Sequence, residues 1–189
     1  MRDRPSGLMP SELSPAALID HALSHCAVKL TQPKAQVIQR LRSGDAEVHG
    51  TFRYALAKTI AGYLGTLGVP FRAVYVYGSA MGEVSSPCSD IDIILDLDHD
   101  SDRVQWLLRR LDIGLVTQFR ALLPQARCLR SLLDVRVVTE HPCQATGRYM
   151  GGFSGLGTSP VCLWRVPPKP TGVLQPEGPR MSTVLSGRG

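Results

Sequence analysis

Residues 74–98, VYVYGSAMGEVSSPCSDIDIILDLD, place two apolar, β-branched runs on either side of a polar stretch rich in glycine and serine. The first run, Ala73 to Tyr77, predicts a buried strand, and the second, Asp90 to Leu97, predicts another. The 12 residues from Gly78 to Ser89 exceed what a hairpin turn needs. A loop of that length inside a compact domain is commonly functional.

Helical patterns lie on both sides of this pair. Ser11 or Ser14 is a candidate cap for a helix reaching about Lys29, with Leu18, Ala22 and Val28 inward. Pro33 suits a first helical turn, and Val37, Ile38 and Leu41 predict a short helix ending at Gly44. Asp45 opens a longer one, in which Val48, Phe52, Leu56, Ile60, Tyr63, Leu64 and Leu67 recur at helical spacing until Gly68. After the second strand, Val104, Leu107, Leu108, Leu111, Leu115, Phe119 and Leu122 mark an amphipathic helix stopped by Pro124. Leu132 to Thr139 reads as a third strand. The order predicts an α/β (α+β) unit, a small mixed sheet backed by helices.

The chain of 189 residues suffices for one domain with a sizeable core. No apolar run reaches the ~18 residues of a membrane span. The start, MRDRPSGLMPSELSP, lacks the apolar centre of a secretory signal. These features predict an intracellular, cytoplasmic protein, with mitochondrion and nucleus left open. Five cysteines without a CxxC pair point to neither a zinc site nor a disulfide framework, and a reducing compartment fits them best.

The net charge of +5 suggests nucleic acid until it is divided by position. Residues 1–142 carry 16 basic against 15 acidic side chains, whereas residues 143–189 carry 5 against 1. That last quarter also holds 9 of the 18 glycines and 6 of the 14 prolines, so it predicts an irregular basic tail. Its one apolar patch, Val161 to Val166, suits an edge strand. Three segments follow: an N-terminal helical segment, 1–44; a core, 45–142; and the tail, 143–189.

The chemistry concentrates beside the long loop. Gly78 and Ser79 follow a buried strand directly, where backbone N–H groups can form an anion-binding nest and Ser79 adds a hydroxyl donor. Asp90 and Asp92 are two apart on a predicted strand, so both carboxylates face one side while Ile91 and Ile93 face the core. Asp134 sits on the third strand within LDVRVV, where an unpartnered carboxylate is costly to bury. Carboxylates converging from two strands suit a pair of Mg²⁺ ions, which take few oxygen ligands from protein and complete their shells with water and phosphate. Two such ions clamp the attacking and leaving oxygens of a phosphoryl displacement.

The pattern of Gly-Ser, ten residues, Asp-Ile-Asp and a distal strand aspartate resembles the DNA polymerase β-type nucleotidyltransferase superfamily. The resemblance covers about residues 45–140. It is greatest to noncanonical poly(A) polymerases and terminal uridylyltransferases, through the Gly-Ser turn, Gly82 and Ser89 to Asp92. It implies a polymerase β-like core in which Asp90, Asp92 and Asp134 are catalytic and bind Mg²⁺ or Mn²⁺. It also implies phosphate contacts from Gly78, Ser79 and Ser89. The activity implied is transfer of a nucleoside monophosphate from an NTP to a hydroxyl, by family an RNA 3′ end. Those tail-adding enzymes also carry a helical domain that grips the base, and no comparable segment follows Asp134 here. The chain therefore reads as a truncated isoform or fragment, as a lobe completed by a second chain, or as a minimal nucleotidyltransferase acting on a protein or small molecule. A noncatalytic lobe that binds nucleotide or a partner polymerase is the reading from another class.

Other features have plainer accounts. Asp134 has Arg130 and Arg136 nearby in sequence as alternative partners. The acidic run Asp96, Asp98, Asp100 and Asp102 reads as a solvated loop with the cap of the next helix. Cys88 lies in the loop without a feature that would make it a nucleophile. Tyr75 and Tyr77 read as core.

Overall fold

The computed structural model describes residues 14–78, 85–139 and 160–165. Helices α1 (Pro15–Lys29), α2 (Lys34–Arg42) and α3 (Ala46–Thr66) precede strands β1 (Phe71–Tyr77) and β2 (Ile91–Leu97). Helix α4 (Asp102–Leu122) and a 3₁₀ turn (Pro124–Cys128) lead to β3 (Leu133–Val138), and β4 (Val161–Arg165) follows. The chain is thus mixed α/β, with four α-helices and a four-stranded mixed sheet among the described residues.

Capping chemistry sets the helix starts. Ser14, Asp45 and Ser101 accept hydrogen bonds from the backbone N–H of Ala17, Val48 and Val104, satisfying donors that the helix itself leaves unmade. Ser14, not Ser11, opens α1, and Pro33 stands just before α2 rather than within its first turn. Central to the helical layer is α3, buried around most of its circumference from Val48 to Leu64.

The sheet order is β3-β2-β1-β4. Strand β1 pairs antiparallel with β2 and β4, whereas β2 pairs parallel with β3 through the crossover helix α4. Ile91, Ile93, Leu95 and Leu97 of β2 face the helices and join one core cluster with residues of α1, α2, α3 and α4. Helices α1 and α2, placed by sequence in a separate segment, share that core. Each fully buried aliphatic side chain there stabilises by roughly 1.5–3 kcal/mol. The patch at Val161 pairs as the expected edge strand.

Three readings need correction. Val28 is 82% exposed, because α1 buries Leu18, Ile19, Ala22, Leu23 and Cys26 and Val28 lies about 200° around the helix from Cys26. Asp96 is not a solvated loop residue but 3% exposed within β2. Arg72 donates to its carboxylate and to the Thr139 carbonyl, fastening β1, β2 and the end of β3 together. Cys88 and Cys128 form a disulfide, which the wide spacing of the cysteines did not suggest. No helix among the described residues is long and apolar enough to cross a membrane.

Candidate active site

The face of the sheet turned away from the helices carries the aspartates. Asp92 and Asp134 are register partners on the parallel strands β2 and β3, and Tyr77 of β1 is the partner of Asp92 on the other side. Directly paired residues project from the same face, so Asp92 and Asp134 stand side by side. Asp90 lies one residue before β2 rather than in it, where its charge is felt by Asp92. Among the described residues, none of the three aspartates forms an ion pair, and Asp134 does not pair with Arg130 or Arg136.

Burial, followed by the charges of Asp90 and Asp134, pushes the Asp92 carboxyl up to about 6, against a smaller opposing effect of Arg136. Burial also pushes the Tyr77 hydroxyl up to about 12, with the Asp92 charge adding to the shift.

Gly78 ends β1 at φ 69°, in the left-handed region. A Cβ there would overlap Oδ2 of Asp92. The Asp92 carboxylate occupies the space a side chain at Gly78 would need, so glycine is required there before any ligand arrives. Ser79 and Gly82 lie outside the described residues. Ser89 builds the loop itself: its hydroxyl accepts from the Ser86 N–H at 3.0 Å, and its own N–H donates to the Ser86 carbonyl at 3.1 Å.

Several supporting residues carried no recognised signal in the sequence. Arg53 of α3 donates to the carbonyls of Ser86 and Ser89. Burial pushes its guanidinium down to about 10, and the charge of Asp90 opposes that shift. Asp112 of α4 accepts from the N–H groups of Leu132 and Leu133 at 2.8 and 2.9 Å, fixing the start of β3 two residues before Asp134. The Cys88–Cys128 disulfide ties the loop to the 3₁₀ turn from outside. The available sequence signal was a polar residue beside an apolar helical stripe: Arg53 follows Phe52, and Asp112 follows Leu111.

Oxygen donors of this kind suit Mg²⁺ or Mn²⁺, and a cation would relieve the repulsion that raises Asp92. As they stand, no three acidic, histidine or cysteine side chains among the described residues converge closely enough to form a complete metal cage. Mg²⁺ does not need one, since it commonly uses one or two carboxylates with water and substrate phosphates. Comparison with protein-family models, curated proteins and solved structures returned no match.

Proposed function

We propose that the chain has a polymerase β-like core and is a nucleotidyltransferase, moving a nucleoside monophosphate from an NTP to an acceptor hydroxyl, an RNA 3′ end. The observation that carries the reading is the register pairing of Asp92 with Asp134 on the parallel strands β2 and β3, with Asp90 immediately before β2. A half-buried Asp92 beside two further carboxylates is costly to maintain for stability alone. The carboxylates gain a purpose where phosphates and their metal ions bind.

Asp90 and Asp92 would hold Mg²⁺ or Mn²⁺, with Asp134 joining on the acceptor side. When bound, the ions supply charge neutralisation at the phosphates and a lowered pKa at the acceptor hydroxyl. Gly78 leaves space for the Asp92 carboxylate, and Ser79 is the proposed phosphate donor next in the chain. Ser89 acts through the loop, by bonding Ser86 and receiving Arg53. Asp134, exposed at the edge of the site, takes the proton of the attacking hydroxyl. The oxygen of that hydroxyl bonds to the α-phosphorus as the bond to the α–β bridging oxygen breaks, and pyrophosphate leaves.

The test is incubation of the chain with Mg²⁺, each NTP and an oligoribonucleotide. Stepwise lengthening of the RNA is expected, and Asp92→Ala should reduce its rate by about a thousandfold or more. Equal activity in wild type and Asp92→Ala would remove the assignment, and labelling of a protein in place of RNA would redirect it to another acceptor.

A further inference from the structure

Arg53 is the largest fully enclosed side chain among the described residues, and it shares the buried face of α3 with His49 one turn before it. None of the ion pairs among those residues includes it. A guanidinium placed so deeply must satisfy all its donors through hydrogen bonds. It does so in two directions: Nε and Nη2 toward the loop that precedes Asp90, and Nη1 toward His49 one turn back on α3.

Nε donates to the Ser89 carbonyl at 3.1 Å, and Nη2 donates to the same oxygen at 2.8 Å and to the Ser86 carbonyl. Nη1 meets Nδ1 of His49 at 3.0 Å and donates more weakly to the His49 carbonyl. His49 is fixed in turn: its Nε2–H donates to the Leu41 carbonyl at 2.9 Å, which leaves Nδ1 as the acceptor for Arg53. The ring of Phe119 lies 5.7 Å from the guanidinium carbon and closes its remaining side. The Ser89 carbonyl belongs to the peptide bond that begins Asp90. The following N–H, that of Ile91, donates to the Leu132 carbonyl at 2.8 Å. Asp90 is therefore held by its backbone on both sides, by Arg53 before it and β3 after it.

We infer that Arg53 is a positioning residue for Asp90: oriented by His49, it clamps the Ser86 and Ser89 carbonyls and so fixes where the Asp90 carboxylate stands relative to Asp92. The consequence for turnover rests on the nucleotidyltransferase reading; the consequence for the loop does not. Arg53 contacts no reacting atom, so its loss should lower kcat and leave nucleotide binding nearly unchanged. A small displacement of a group in the reacting constellation has a large effect on rate.

The experiment compares Arg53→Met and Arg53→Lys with wild type in the full chain, by circular dichroism, amide hydrogen exchange and steady-state kinetics. Arg53→Met should exchange at the amides of residues 86, 88, 89 and 90 about tenfold faster or more while the core amides of α3 and β2 stay protected. Its kcat should fall by about a hundredfold with the NTP KM within about threefold, and Arg53→Lys, which keeps a cationic donor, should recover about tenfold of that loss. Unchanged exchange in the loop, or wild-type kcat in either folded variant, would overturn the inference. Where Arg53→Met does not fold, Arg53→Lys decides by the same measures. A wild-type chain that transfers no nucleotide removes the functional reading alone, and loop exchange then decides the role of Arg53.

Discussion

Asp92 is half-buried, set against the backbone of Gly78, with two further carboxylates raising its pKa. Its folded-state value of about 6 lies above the usual 3.8, so the folded chain holds this proton more tightly than the unfolded chain. The associated stability is fully present below the unfolded value and is lost as pH rises through about 6. In metal-free buffer, Asp92→Asn should therefore melt several degrees above wild type at neutral pH, with the gap closing as pH falls below that value. Added Mg²⁺ should raise the wild-type midpoint and leave that of the variant nearly unchanged. Gly78→Ala combines a strained positive φ with an overlap on Asp92. It should cost about 1–3 kcal/mol in denaturant unfolding and displace the carboxylate as well. The aspartates and the glycine were legible because the chemistry of their side chains, or the lack of one, is local. Which oxygen fills the space over Gly78 was not legible, since only the antiparallel register of β1 and β2 brings Asp92 there.

Among the elements, α3 couples the core to the loop through His49 and Arg53. Burial, then the Arg53 charge, holds the His49 ring down at about 4, against a smaller effect of its bond to Leu41. A histidine depressed from 6.5 to about 4 stays neutral in the folded chain while the unfolded chain takes up a proton, so stability falls across that window as pH drops. The raised Asp92 carboxyl contributes an opposite slope over nearly the same range, so the measurement is the difference between wild type and His49→Gln in urea unfolding: the stability of wild type relative to the variant should fall as pH drops from 6.5 to about 4. The disulfide acts on the other side of the same loop. Its reduction should lower stability by about 2–4 kcal/mol, and a non-reducing digest should contain linked peptides bearing Cys88 and Cys128. Helices and strands were legible through periodicity and through the caps at Ser14 and Asp45, because these signals lie within a few residues of each other. Arg53, Asp96 and the Cys88–Cys128 pair were not, because each is defined by a partner from a distant part of the chain: Ser89, Arg72 and Cys128 to Cys88 across 40 residues.

At the scale of the molecule, the basic excess and the acidic site separate. The excess lies mainly in residues 143–189, while Asp90, Asp92 and Asp134 lie on the side of the sheet turned away from the helices. The fold class and the edge strand at Val161 followed from the order and composition of the segments. The strand order did not, because a sheet edge is chosen by which apolar faces remain to be covered, and β4 settles beside β1 after a long connection. On the proposed function, the three aspartates serve transfer of a nucleoside monophosphate. The most direct measurement uses one NTP labelled either at the α- or at the γ-phosphate, with Mg²⁺, an RNA acceptor, and the wild-type and Asp92→Asn chains. The expected result is that the α-label enters the RNA and the γ-label leaves as pyrophosphate, in wild type alone. Label entering RNA from the γ-phosphate, or no transfer of the α-label by the folded wild-type chain, would contradict it.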